Sequence, residues 1–134
     1  MRRCLLVTLF LVAFVLGCQK GAGNVSVSGR ITKDGQALPN AHVTFRQHDA
    51  SGKPDPTTEA AAETDAEGRY ALKRVQGGSA GAVPGDYRVE IQVIERTERG
   101  VLKLIPPKYN EKSELKFTVP AGGTKEADFD VKTK

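Results

Sequence analysis

The chain has 134 residues, 20 basic and 16 acidic side chains, and a formal net charge of +4. Arg2 and Arg3 lie in a segment that reads as removable; without them the balance is 18 against 16, a net +2, and no basic run of the kind that grips nucleic acid is present. Both cysteines, Cys4 and Cys18, fall at the N-terminal end. This excludes an internal disulfide framework or a thiolate metal site from the remainder, and an apolar core must hold about 117 residues together.

In chain order, Met1-Arg2-Arg3 is a positive start and Leu5 to Leu16 an almost unbroken apolar run. Its length fits the ~7–15 residues of a signal-peptide core and falls short of the ~20 that a spanning helix needs. The run ends Val15-Leu16-Gly17-Cys18, which resembles the lipobox of bacterial lipoproteins. The resemblance implies a diacylglyceryl group on the Cys18 sulfur, cleavage before Cys18, and acylation of the new amine. Two or more acyl chains anchor stably where one is marginal, at ~0.8 kcal/mol per buried CH₂. Gln19 stands where an inner-membrane retention signal would place aspartate, which favours the outer membrane or cell surface. An ordinary signal peptide would also place the domain outside the cytoplasm. The expected division is 1–17 signal peptide, 18–24 lipidated tether and 25–134 folded domain.

The rest reads as strands. Val25, Val27, Gly29 and Ile31 alternate with polar residues, the period of a half-buried strand, and Asp34-Gly35 supplies a tight turn. Ala41, Val43 and Phe45 predict a second strand, and Gln47 to Pro56 a polar loop. Thr57 to Thr64 is read as an edge strand despite its Glu59-Ala-Ala-Ala-Glu63 run, and Asp65 to Gly68 as a turn. Tyr70 and Leu72 continue as a strand, and Gln76 to Pro84 is a Gly/Ala-rich loop. Tyr87, Val89, Ile91 and Val93 form the strongest strand. Glu95 to Gly100 is read as a charged turn, and Pro106-Pro107 forbids regular pairing. Leu115, Phe117 and Val119 form a strand, from which Gly122-Gly123 is expected to make a hairpin into Ala127, Phe129 and Val131. Six to seven short strands without a helix predict an all-β, antiparallel sandwich.

Several phrases together resemble the carboxypeptidase regulatory-like domain, a transthyretin-like (prealbumin-like) β-sandwich. They are Val27-Ser-Gly-Arg-Ile-Thr32 with Asp34-Gly-Gln-Ala-Leu-Pro-Asn-Ala41 and Val43-Thr-Phe45, then Thr64-Asp-Ala-Glu-Gly-Arg-Tyr70, then Val83-Pro-Gly-Asp-Tyr-Arg-Val89. The segment Pro106 to Asp130 is similar to small lipoproteins of planctomycete-like bacteria. The resemblance covers nearly the whole mature chain and implies an accessory module without catalysis of its own. Transthyretin-like hydrolases share the shape but carry paired histidines and a Tyr-Arg-Gly-Ser ending; this chain ends Phe129-Asp-Val-Lys-Thr-Lys134.

Other chemistry is sparse. His42 is expected on the outward face of a strand and His48 in the polar loop, with Asp49 and Asp55 the nearby groups that would complete a metal set. Asp65-Ala-Glu-Gly68 lacks the alternating ligands of a calcium loop. Glu126, Asp128 and Asp130 form an acidic stripe on one strand face. No serine elbow or phosphate-cradling loop occurs. Tyr109, beside the two prolines, is expected to be exposed. The expected function is therefore a lipid-anchored envelope protein whose non-catalytic sandwich serves as a structural or protein-interaction module, with no cofactor or metal. The candidate partner contacts are Tyr109 and His48, and the candidate partner loops are 47–56 and 76–84. A small-ligand or carbohydrate-binding accessory protein of an envelope transport system is the alternative, and a hydrolase is the third.

Overall fold

The structure, a computed structural model, describes residues 23–103 and 105–133. The expected signal peptide, Cys18 and most of the tether lie outside the described residues. Eleven strands form among the described residues: β1 (Ser28–Lys33), β2 (Gln36–Ala37), β3 (His42–His48), β4 (Pro54–Glu63), β5 (Arg69–Ala71), β6 (Lys73–Arg74), β7 (Gly85–Gln92), β8 (Ile94–Thr97), β9 (Gly100–Lys103), β10 (Lys116–Val119) and β11 (Phe129–Val131). One sheet has the order β11-β1-β2, with β5 also paired to β1; the other has the order β10-β7-β3-β4-β6. The strands β8 and β9 pair with each other. The molecule is an all-β sandwich, with one 3₁₀ turn at Pro107–Tyr109.

Alternation along the strands sets the core. Val27 and Ile31 from one sheet face Val43, Phe45, Val89 and Ile91 from the other, all almost wholly buried. Between β5 and β6 the chain changes sheets: β5 pairs with β1 and β6 with β4. Leu72, 1% exposed, sits at the crossing and closes that flank.

Four expectations need correction. The polar loop is only 49–53, because β3 and β4 keep pairing as far as His48 and Pro54. The two prolines are tolerated because Pro54 opens its strand and Pro56 lies where the β3–β4 register shifts, so neither must donate to the ladder. The strand over 57–64 is real, but β6 covers part of its outer side, so it is not a bare edge. The charged turn at 95–100 is a hairpin of β8 and β9 around Glu98-Arg99. Finally, Gly122-Gly123 does not fold β11 back on β10. It carries the chain from one sheet to the other, where β11 runs parallel to β1.

That crossing depends on Gly29. A Cβ there would lie 2.1 Å from the Ala127 carbonyl oxygen, so only glycine lets the segment before β11 close on β1. Tyr70, paired with Gly29, donates its hydroxyl across β1 to the same oxygen at 2.5 Å.

Candidate functional site

The outer face of the five-stranded sheet carries a groove of about 620 Å³. Alternation turns Asp86 and Arg88 of β7 outward, and the register sets Lys116 beside Arg88 and Thr118 beside Asp86. His48, at the end of β3, completes the rim with Glu114 and Ser113. Thr118 Oγ1 donates to Asp86 Oδ1 at 2.5 Å. Arg88 Nη2 donates to the Glu111 carbonyl at 3.2 Å and lies 4.0 Å from Glu90. Arg46, cross-strand from Arg88, bridges Glu90 at 2.9 Å and Glu59 at 3.3 Å. Lys116 has no ion-pair partner among the described residues. The groove thus sets the cations Arg88 and Lys116 beside the carboxylates of Asp86 and Glu114.

Its hydroxyl chemistry is committed to structure. Ser113 Oγ donates to the Val89 carbonyl and accepts from Leu115 N at 3.2 Å. A nucleophilic serine must give its proton to a base; this one gives it to the main chain. The groove draws on three strands and a loop, so no local motif in the sequence pointed to it beyond His48.

The histidines are not brought together. His42 and His48 occupy opposite ends of β3, about 20 Å apart at a strand's rise of ~3.3 Å per residue. The carboxylates near His48 are turn caps. Asp49 Oδ1 accepts from Ser51 N at 2.8 Å and Lys53 N at 3.0 Å, and Asp55 Oδ1 accepts from Thr57 N at 2.9 Å. The Ser51 hydroxyl and the Lys53 amide lead in lowering the Asp49 pKa, and the Thr57 hydroxyl leads for Asp55. Among the described residues no group of three His, Cys, Asp or Glu could hold a metal ion.

Tyr109 is not the exposed ring expected. It is half-buried in the 3₁₀ turn and packs on the core. Its hydroxyl accepts from Lys132 N at 2.9 Å, and Lys108 Nζ stands 5.1 Å from the ring centre. It clamps the C-terminal segment at the end of the sandwich opposite His48, so the two candidate contacts do not share a site.

The acidic stripe also has local work. Asp128 Oδ1 accepts from Arg30 N at 2.8 Å, and Asp130 Oδ1 accepts from Thr32 Oγ1 at 2.7 Å and Gly35 N at 3.0 Å. Asp130 also pairs with Lys132. Lys132 first, then Thr32 and Gly35, hold its carboxyl down to about 2. These side chains bind the edge of β1 to β11.

In comparison with known proteins, the chain matches no protein-family model, no curated protein and no solved structure.

Proposed function

We propose that this chain is exported, lipidated on Cys18 and held at the outer membrane or cell surface. Its sandwich, of the carboxypeptidase regulatory-like type, acts there as a non-catalytic structural or protein-interaction module. The observation that carries the anchoring is the ordered sequence Arg2-Arg3, apolar Leu5–Leu16, then Gly17-Cys18. Support for the module comes from where the family-like phrases fall. Gly29, Asp34-Gly35 and Thr64 to Tyr70 all serve turns or the contact between sheets. Labelling with palmitate tests the anchoring: incorporation should occur in the wild type and vanish in Cys18→Ala, with the variant released from membranes. Persistent labelling of Cys18→Ala would reject it.

A second reading, a small-ligand-binding accessory protein, is favoured by the groove at His48, Arg88 and Lys116. Its volume, about 620 Å³, falls within the ~300–1,000 Å³ of small-molecule sites. A ligand of the native state would raise the melting temperature, and Lys116→Ala should remove that rise. No shift across glycans and anionic metabolites would sink this second reading.

A further inference from the structure

Strand directions gather several features at one end of the sandwich. The strand β3 runs into the 49–53 turn. The strand β7 is antiparallel to both β3 and β10, so β10 points the same way as β3 and runs into the 120–123 turn. From there β11 departs parallel to β1, which therefore begins at that same end. The chain enters the fold there, and its first residues are pinned. Asn24 Nδ2 donates to Ser79 Oγ at 2.7 Å, and Asn24 Oδ1 accepts from Arg74 Nη1 at 2.9 Å. Val25 exchanges backbone hydrogen bonds with Ala82 at 2.8 and 3.0 Å.

The residues that pin Asn24 belong to a reversal over 72–82, closed by Arg74 N to Ser79 O at 2.8 Å and Gly81 N to Leu72 O at 2.7 Å. Val75 opens its 75–78 loop beside β4, with its N–H on the Glu59 carbonyl, and is 55% exposed. Only one other large apolar side chain among the described residues is exposed, Ile94 at 46%, and it follows β7 at the opposite end.

The tether fixes which end meets the membrane. Six peptide links join Cys18 to Asn24, a reach of about 20 Å at ~3.3–3.6 Å per residue. The strand β7 alone spans more, about 26 Å over its eight residues. Both signs of charge meet at this end, so the tether rather than charge sets the orientation. Lys53 and Lys125, in or beside the two turns, are exposed, and Lys20 lies in the tether. Of the acids at that end, Asp49, Asp55 and Asp86 accept hydrogen bonds from their own turns or neighbouring strand and keep their charge, and Asp49, Asp86 and Glu126 are exposed, so the two lysines must reach past them to the lipid.

We propose that this end of the sandwich rests on the lipid surface, with Val75 in the headgroup layer and Lys53 and Lys125 on lipid phosphates. The β8–β9 hairpin then points away from the membrane. This inference rests on the reading of Cys18 as the lipid attachment. A contact too weak to hold a free domain on a bilayer is occupied once a short tether makes it intramolecular. One consequence is that the two loops singled out in the sequence, 47–56 and 76–84, face the bilayer, and a protein partner meets the far end instead.

The chain contains no tryptophan, so Val75→Trp and Ile94→Trp each introduce a single reporter of matched exposure. The full lipidated chain is reconstituted into vesicles of phosphatidylethanolamine and phosphatidylglycerol, with and without brominated acyl chains. Val75→Trp should shift to the blue and lose at least half its emission to the brominated lipid, while Ile94→Trp stays unchanged. Adding Lys53→Glu and Lys125→Glu to Val75→Trp should reduce the quenching. Equal quenching at both positions, or quenching of Ile94→Trp alone, overturns the orientation. Flotation separates this from failure of the anchor. If the wild-type chain does not float with vesicles, the reading of Cys18 fails; if it floats and Val75→Trp is unquenched, the docking fails and the anchor stands.

Discussion

The hydroxyl of Thr64, 4% exposed, accepts from Ala41 N at 2.8 Å and donates to the Leu38 carbonyl at 2.6 Å. It thereby satisfies two backbone groups in the connection between β2 and β3, where no sheet partner is available. Thr64→Val keeps the shape and removes both bonds, at about 1–3 kcal/mol for each buried group left unpaired. Thr64→Ser should retain most of the stability. Urea midpoints of the two variants check this, and equal losses would show that the methyl group matters rather than the hydroxyl. Asp130 gives a pH-dependent counterpart. Its carboxyl is lowered from an ordinary 3.8 to about 2, so the folded state holds the ionised form more tightly than the unfolded chain does. That contribution is complete above the unfolded value and is lost as pH falls from about 4 towards about 2. Asp34, lowered chiefly by the Thr133 hydroxyl, adds in the same direction. Asp130→Asn should lower stability near neutrality and flatten the fall of the urea midpoint across that window; an unchanged slope would show that its bonds to Thr32, Gly35 and Lys132 do not persist in solution.

Among the elements, the β8–β9 hairpin pairs only with itself, whereas β3 has a neighbour on each side. Local stability follows that difference. Amide exchange should be fast in 94–103 and slowest in β3 and β7, as hydrogen-exchange mass spectrometry would read; equal protection would mean that the hairpin is docked. The same contrast explains what the sequence disclosed. Where one face is buried, alternation is visible: Val43 and Phe45, or Tyr87 to Val93, announced both their strands and their inward faces. At the hairpin's reversal no apolar residue alternates with a polar one, so Thr97-Glu-Arg-Gly100 carried only the marks of a charged turn. Period two also names a strand's faces without naming its partners. Gly122-Gly123 therefore read as a hairpin, when the deciding residue was the distant Gly29, whose bare Cα admits Ala127. The groove was illegible for a related reason. Register alone brings His48, Arg88 and Lys116 together, and register is set by tertiary pairing. Thr64 stood in a recognised phrase, yet its hydroxyl partners lie more than 20 residues away.

At the scale of the whole molecule, four rings tie the two sheets together. Phe45 of β3, fully buried, lies 5.6 Å from Tyr87, 5.8 Å from Phe117 and 6.2 Å from Phe129. The first two belong to its own sheet and the third to the opposite one. Phe117 and Phe129, 5.9 Å apart, are half-buried and close the flank where β10 and β11 face each other. With no cysteine after Cys18, these contacts rather than a covalent bridge resist separation of the sheets. Phe45→Ala removes the shared ring and leaves a cavity, at a cost of about 3–5 kcal/mol. Against a total of about 5–15 kcal/mol for a domain of ordinary stability, that is about a fifth or more of what holds the fold. Phe117→Ala vacates a site open to solvent, so water fills part of the space and the loss should be clearly smaller. Urea unfolding followed by circular dichroism distinguishes the two. An equal loss would place the burden on the β10–β11 flank, and a negligible loss for Phe45→Ala would mean that the sheets are held from the Leu72 side, where β5 passes into β6.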